Sequence, residues 1–235
     1  MSPVTRRSAA ATDIRERSAY PVAEAARYLK VPPATLRSWF MGRRYQTAQG
    51  PQQFPAIVAP ASRRPPTLSF YNLIEAHVLR ALRTDHGVPV HAVRNAIGYA
   101  ERELGLERLL LSPQLRADAG RLFLDRYGLL IELSASGQLA LRQVLAAYLK
   151  RVEWDTSQFP IRLYPFLTAE PTTVARPIAI DPTIAFGRPI VLSRGISTGV
   201  ITERIDAGES VEALAVDYDL TPEDIEQAAV YERAA

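Results

Sequence analysis

Cysteine is absent from the 235-residue chain. That excludes disulfides, thiolate metal sites and cysteine nucleophiles, and it suits a cytoplasmic protein. No run of about 18 apolar residues occurs, so no membrane span is expected. The first residues, MSPVTRRSAAATDIRERSAY, lack the apolar stretch of a signal peptide, and 1–19 reads as a flexible tail. Histidine is scarce. His77, His86 and His91 suit neither a helical i, i+4 metal pair nor a zinc pattern, and they read as structural or surface residues.

A catalytic set is also missing. Asp217, Asp219 and Thr221 mimic the start of an EF-hand loop, but Pro222 and Ala228 occupy its required glycine and glutamate positions. Gly187 to Gly195 is not followed by the GK[ST] of a P-loop. The carboxylates after residue 200 sit on neighbouring helical turns, whereas a metal-dependent nuclease needs them to converge from separate elements. The expectation is no catalytic residue, no metal, no cofactor and no enzyme. A nucleic-acid enzyme would need a set that this chain does not supply.

Negative charge is scarce at one end only. Residues 1–100 hold 14 Lys/Arg against 5 Asp/Glu, or +9. Residues 101–177 hold 10 against 9, or +1, and residues 178–235 hold 4 against 11, or −7. Polyanions should be attracted to the first part and repelled by the last, so the two ends suit different partners.

The stretch Tyr20 to Met41 reads as two short helices joined by a tight turn. Ala25, Ala26, Leu29, Val31, Leu36 and Trp39 fall where a helix-turn-helix buries side chains. Pro32 and Pro33 suit the first turn of the second helix. Thr35, Arg37 and Ser38 are left facing outward, with Arg43 and Arg44 just beyond. That surface suits the major groove of double-stranded DNA and its phosphates. The bland reading is a helical hairpin with basic solvent-facing residues.

Residues 42–66 are rich in Pro and Gly. They fit either a wing with Arg63 and Arg64 on phosphates and a short strand at Phe54 to Val58, or a disordered linker. Ser69 reads as an N-cap for a helix over Phe70 to Arg83, stopped by Gly87. A second helix, Pro89 to Leu104, carries an apolar stripe of Val90, Val93, Ile97, Ala100 and Leu104. Further on, 121–133 reads as a β-hairpin, 138–151 as a helix, and Thr168 to Pro177 as a linker between residues 20–167 and 178–235.

The last segment ends in three short helices, and the final two repeat the spacing of the first motif. Leu214, Ala215, Tyr218, Leu220, Ile225 and Ala228 stand in the core positions, with Thr221-Pro222 in place of Pro32-Pro33. Thr221 to Asp224 is a variant capping box. The outward positions carry Glu223, Glu226 and Gln227, which would oppose DNA. They fit a protein-binding or dimerising module, or merely a solvated acidic surface.

Two resemblances follow from these residues. The order of helix pair, wing-like loop and two helices over 20–104 resembles the DNA-binding domain of MerR-type regulators. The FGRP turn, the Gly195-Ile196 pair, the AGES break and the LTPEDIEQA helix resemble the DUF433 domain over about 178–232. This sequence has Ser193-Arg194-Gly195 where many members have a Gly-Thr-Arg run. Together they make the chain similar to VapB45-type antitoxins, which implies neutralising a PIN-like ribonuclease toxin by binding it and repressing the operon at its operator. Such nucleases hold metal with clustered carboxylates, so Arg188 and Arg194 become candidate toxin-binding residues; the stronger alternative is that either pairs with the acidic helices of its own domain.

The expected fold is mainly α with small β-hairpins: a winged helix-turn-helix-like N-terminal domain and a C-terminal trihelical DUF433-like domain. The expected function is a cytoplasmic, homodimeric antitoxin and repressor. The alternative is a MerR-like regulator that senses a small molecule and has no toxin. The dimer would use the Val90–Leu104 stripe, the acidic helices or both. A fragment ending near Arg176 is expected to keep DNA contacts.

Overall fold

The computed structural model describes residues 13–47, 50–85, 88–105, 108–112, 146–165 and 177–234. Strand β1 (Tyr20–Pro21) leads into α1 (Val22–Leu29) and α2 (Pro33–Met41). Lys30 ends α1 in the left-handed region, at φ 53° and ψ 47°. The chain then forms a hairpin of β2 (Arg43–Thr47) and β3 (Gly50–Phe54). Strands β4 (Ser62–Arg63) and β5 (Pro66–Leu68) complete a small sheet in the order β1-β5-β4.

Helix α3 (Phe70–Arg80) starts where the sequence places it. The Ser69 hydroxyl accepts from the Asn72 N–H at 3.2 Å, and the Asn72 side chain accepts from the Ser69 N–H at 3.1 Å. This reciprocal pair satisfies two orphan donors of the first turn. The helix passes at Ala81 into a π-helical turn instead of continuing to Arg83; Gly87 lies outside the described residues. Helix α4 (Val90–Leu104) follows. Its Val93 and Ile97 are buried in the chain's own core, so these members of the stripe are not free for a dimer.

The fold has more sheet than expected. Strands β6 (Val152–Trp154), β7 (Pro160–Leu163), β8 (Ile178–Ile180), β9 (Pro189–Val191) and β10 (Ile196–Ser197) form one antiparallel sheet in the order β10-β9-β8-β7-β6. "Mainly α with small hairpins" is therefore corrected. Each strand has only two to four residues, too few to show a period of two, and the sheet depends on the distant pairing of Leu163 with Ile180. The expected hairpin at 121–133 lies outside the described residues. So does the helix at 138–151 before residue 146, and so does the linker at 168–177 apart from Pro177.

Helices α5 (Thr198–Asp206), α6 (Val211–Tyr218) and α7 (Pro222–Arg233) close the chain as the three expected short helices. One core joins α1 to α4 with Leu149, Val152, Leu163 and Ile180. A second joins α5 to α7 with Ile178 and Val191. Strand β8 thus feeds both. Residues 13–19, expected in the tail, are tied down. Arg15 bonds Asp155 at 2.8 Å and lies over the rings of Tyr71 and Phe159, and the Ala19 N–H donates to the Leu68 carbonyl.

Candidate nucleic-acid interface and its junction with the acidic domain

The packing of α2 decides what it can present. Leu36, Trp39 and Phe40 are buried, Arg37 is exposed, and Thr35 and Ser38 are half-buried. The Ser38 hydroxyl donates to the Thr35 carbonyl at 2.7 Å, so its proton is committed inside the helix. Gly42 joins α2 to the hairpin at φ 74° and ψ −177°, a region essentially reserved for glycine. A Cβ there would overlap the Phe54 carbonyl oxygen and meet the Ala56 nitrogen at 3.2 Å. The far end of the hairpin is tied to the same helix, because Ile57 and Val58 both donate to the Trp39 carbonyl, at 2.7 and 3.3 Å.

Arg43–Thr47 and Gly50–Phe54 are thus an ordered pair of strands rather than a disordered linker. The expected strand at Phe54–Val58 is corrected: β3 ends at Phe54, since the next residues turn back to bond α2. Arg43 and Arg44 lie within β2, where successive side chains point to opposite faces. Arg43 is paired with Phe54 and lies over its ring at 5.6 Å, while Arg44 is paired with Gln53. Arg94 of α4 covers Phe54 at 4.2 Å and donates to the Pro55 carbonyl at 2.9 Å, which braces the wing. Spacing gave no hint of Arg94 in this role. Arg63 and Arg64 stand exposed at the β4–β5 turn. None of Arg37, Arg43, Arg44, Arg63 and Arg64 has a carboxylate within salt-bridge range among the described residues. Their charge is available to a polyanion.

The acidic domain holds the back of this helix pair. The Tyr231 hydroxyl donates to the Tyr28 carbonyl at 2.8 Å, and the Lys30 ammonium sits 4.3 Å from the centre of the Tyr231 ring. Burial raises the Tyr231 phenol well above its usual range and lowers the Lys30 ammonium. Arg27 faces Glu232 at 3.7 Å, and Glu232 accepts from the Thr198 hydroxyl at 2.5 Å. A cavity of about 290 Å³ opens at this junction, lined by Glu24, Arg27, Tyr28, Arg188, Glu203 and Glu232 among others. Among the described residues, no group of three or more His, Asp or Glu could hold a metal ion. His77 is buried, with its Nε2 3.1 Å from the Tyr148 carbonyl, and His91 is exposed. Nor is any helix of the described residues long and apolar enough to cross a membrane.

The last two helices reproduce the first pair in backbone detail. Asp219, like Lys30, ends its helix at φ 53° and ψ 47°. The Leu220 N–H returns to the Ala215 carbonyl at 2.9 Å, as Val31 returns to Ala26 at 3.0 Å. Leu214, Ala215, Ile225 and Ala228 are buried. The expected capping box of Thr221 and Asp224 forms, which engages the Asp224 carboxylate beside the outward positions. Glu226 stands where Arg37 stood, and both are exposed.

Arg188 and Arg194 part company. The Arg194 guanidinium bonds both the carboxylate and, at 3.0 Å, the carbonyl of Asp219. Arg188 is exposed and has no ion pair among the described residues.

Comparison with known proteins places these parts. Residues 178–231 match the family described as "Protein of unknown function (DUF433)", and residues 18–97 match the family described as "Putative DNA-binding HTH domain". The chain therefore carries a DUF433 domain behind a helix-turn-helix domain. It is 29% identical over 228 residues to "Putative antitoxin VapB45" of Mycobacterium tuberculosis, which covers 89% of this chain and 91% of the relative. Its fold is shared with the crystal structure of Rv2018 from Mycobacterium tuberculosis, at a TM-score of 0.63 and 21% identity, over 90% of this chain and 97% of that one.

Proposed function

We propose that this chain is an antitoxin that binds operator DNA through α2 and the wing and binds a PIN-like ribonuclease through its DUF433 domain. The observation that carries the reading is the contrast between the two helix pairs. They share one turn geometry, yet the matched outward position is Arg37 in one and Glu226 in the other. The first suits phosphates and the second repels them. The acidic copy also exposes two apolar side chains, Val216 and Val230. The name of the 29% identical relative supports the same reading.

In this reading the domain order is that of a MerR-like repressor, and Arg37, Arg43, Arg44, Arg63 and Arg64 hold the DNA. Two copies would read two half-sites, since one helix-turn-helix spans few base pairs. Because Val93 and Ile97 are spent in the chain's own core, the dimer contact falls to the acidic helices. The test is co-expression with the ribonuclease of the adjoining reading frame, followed by co-purification and operator binding. A complex that forms and still shifts operator DNA supports the reading. Failure to co-purify sinks its toxin half.

One observation favours a second reading, a regulator that senses a small molecule. The junction cavity touches α1 directly and so could connect a ligand to DNA binding. Release from DNA on adding a metabolite, with no ribonuclease partner, would favour it.

A further inference from the structure

The cavity between α1 and the acidic domain holds charges of both signs that its walls do not neutralise. Its lining includes Glu24 and Arg27 of α1, Arg188 just before β9, Glu203 of α5 and Glu232 of α7. Three carboxylates thus face two guanidinia, which leaves −1. Some of these groups are engaged. Glu24 accepts from the Tyr28 hydroxyl, and Glu232 accepts from the Thr198 hydroxyl at 2.5 Å and faces Arg27 at 3.7 Å. Arg188 and Glu203 are not. Both are exposed, and neither side chain has an ion pair among the described residues. They line one cavity yet stay beyond salt-bridge range of each other.

Two opposite charges that share a concave surface and remain apart leave room for a ligand that carries both. A few convergent polar groups in a concave site are what orient a small molecule. The volume, about 290 Å³, lies at the low end of such sites, so the occupant is the size of a single metabolite. A nucleotide or a phosphate ester would set its negative charge against three carboxylates. A metal ion lacks ligands, since no group of three or more His, Asp or Glu among the described residues could hold one. A simple diamine would leave the two guanidinia without a counter-charge.

We propose that this cavity binds a basic amino acid, a small zwitterion with one extra positive charge. Its carboxylate pairs with Arg188 and its α-ammonium with Glu203. Its second cation meets the remaining acceptor capacity of Glu24 and Glu232, since a carboxylate accepts at about four lone-pair sites. Pro189 and Val200, which also line the cavity, offer the aliphatic stem an apolar stretch. The charge then closes, −1 from the walls against the ligand's single surplus cation. The walls belong to both domains, so the ligand ties α1 to α5. The inference rests on the small-molecule reading, to which it adds a ligand class, and it does not depend on a ribonuclease.

The test titrates the full chain by calorimetry with three compounds. L-lysine is the probe, L-norleucine keeps its stem and lacks the second cation, and cadaverine lacks the carboxylate. L-lysine should bind the wild-type chain and raise its Tm. The other two should bind at least roughly tenfold more weakly, since each forfeits a charge-assisted contact. Arg188→Ala should weaken L-lysine by about the same factor and leave cadaverine where it was, so that the gap between them closes. Gly199→Leu should abolish binding by filling the cavity. Gly199 lines it, and a Cβ there meets only the Ser197 hydroxyl oxygen, at an ordinary 3.7 Å, so the backbone accepts a side chain. The variant's own Tm reports that it folds. No L-lysine binding by the wild type, equal affinity for all three compounds, or L-lysine binding kept in both variants would overturn the site. Operator affinity measured with and without L-lysine separates the site from the small-molecule reading. L-lysine bound here with unchanged operator affinity keeps the site and removes that reading. Release of the operator by another metabolite, with L-lysine unbound, keeps that reading and overturns the site.

Discussion

Tyr231, near the end of the chain, donates its hydroxyl proton to the backbone carbonyl of Tyr28 in α1, 203 residues away. The last carbonyls of a helix lack intrahelical partners. In α1, Ala26 accepts from Lys30 and Val31, Arg27 from Lys30, and Leu29 from Arg80 at 2.6 Å. Among the described residues, the Tyr28 carbonyl accepts from Tyr231 alone. The acidic domain therefore finishes a helix of the basic one.

This changes what truncation should do. A fragment ending near Arg176 loses Tyr231, the Gly187 contact to Tyr20 and the β8 partner of β7. We expect it to be destabilised and to bind operator DNA weakly, contrary to the expectation from charge alone. In the full chain, Tyr231→Phe should cost about 1–3 kcal/mol, because a buried carbonyl is left unpaired. Chemical denaturation measures it, and an unchanged midpoint would show that the contact contributes nothing.

The wing arginines should not behave alike. Arg44→Ala should lower the salt dependence of operator binding by about one unit of slope, as loss of one phosphate contact does. Arg43→Ala should affect the slope less, because Arg43 lies over Phe54 on the other face of the hairpin. Arg37→Ala should cost about 1–3 kcal/mol if it reads a base. Anisotropy titrations at several salt concentrations separate the three, and equal affinities throughout would put the DNA elsewhere.

Gly42→Ala should damage DNA binding without touching a basic residue. The substituted Cβ collides with the Phe54 carbonyl, so either the backbone of the wing or the end of α2 must move. Strain of this type costs of order 1–3 kcal/mol. A variant with normal operator affinity would show that the angle between helix and wing is unimportant.

Two buried groups in α3 set a pH dependence. Burial pushes the Glu75 carboxyl up from 4.5 to about 7, although Arg108 opposes this from 3.4 Å. Its contribution to stability is present below pH 4.5 and is lost as pH rises through 7. Burial lowers the His77 imidazole from 6.5 to about 3, against its bond to Tyr148. That contribution is present above pH 6.5 and lost as pH falls toward 3. Glu75→Gln should therefore flatten the decline between pH 4.5 and 7, worth up to about 3 kcal/mol. Denaturation midpoints across pH test it; an identical profile in the variant would exclude Glu75.

Much of the architecture was legible along the chain because it is local. The N-cap at Ser69, the capping box at Thr221, the proline starts of α2 and α7 and the matching turns at Lys30 and Asp219 depend on residues three to five apart. Charge is additive, so the basic and acidic ends could be counted, and the exposed Arg37 and Glu226 follow from helical periodicity. Contacts between distant residues carried no such signal. The short strands of the five-stranded sheet have no visible period until Leu163 meets Ile180. The capture of Arg194 by Asp219, the seating of Gly187 against Tyr20 and the capping of Tyr28 by Tyr231 all depend on which elements lie side by side. Folding sets those neighbours by burying two joined cores at once, and no stretch of sequence encodes a partner that lies a hundred residues away.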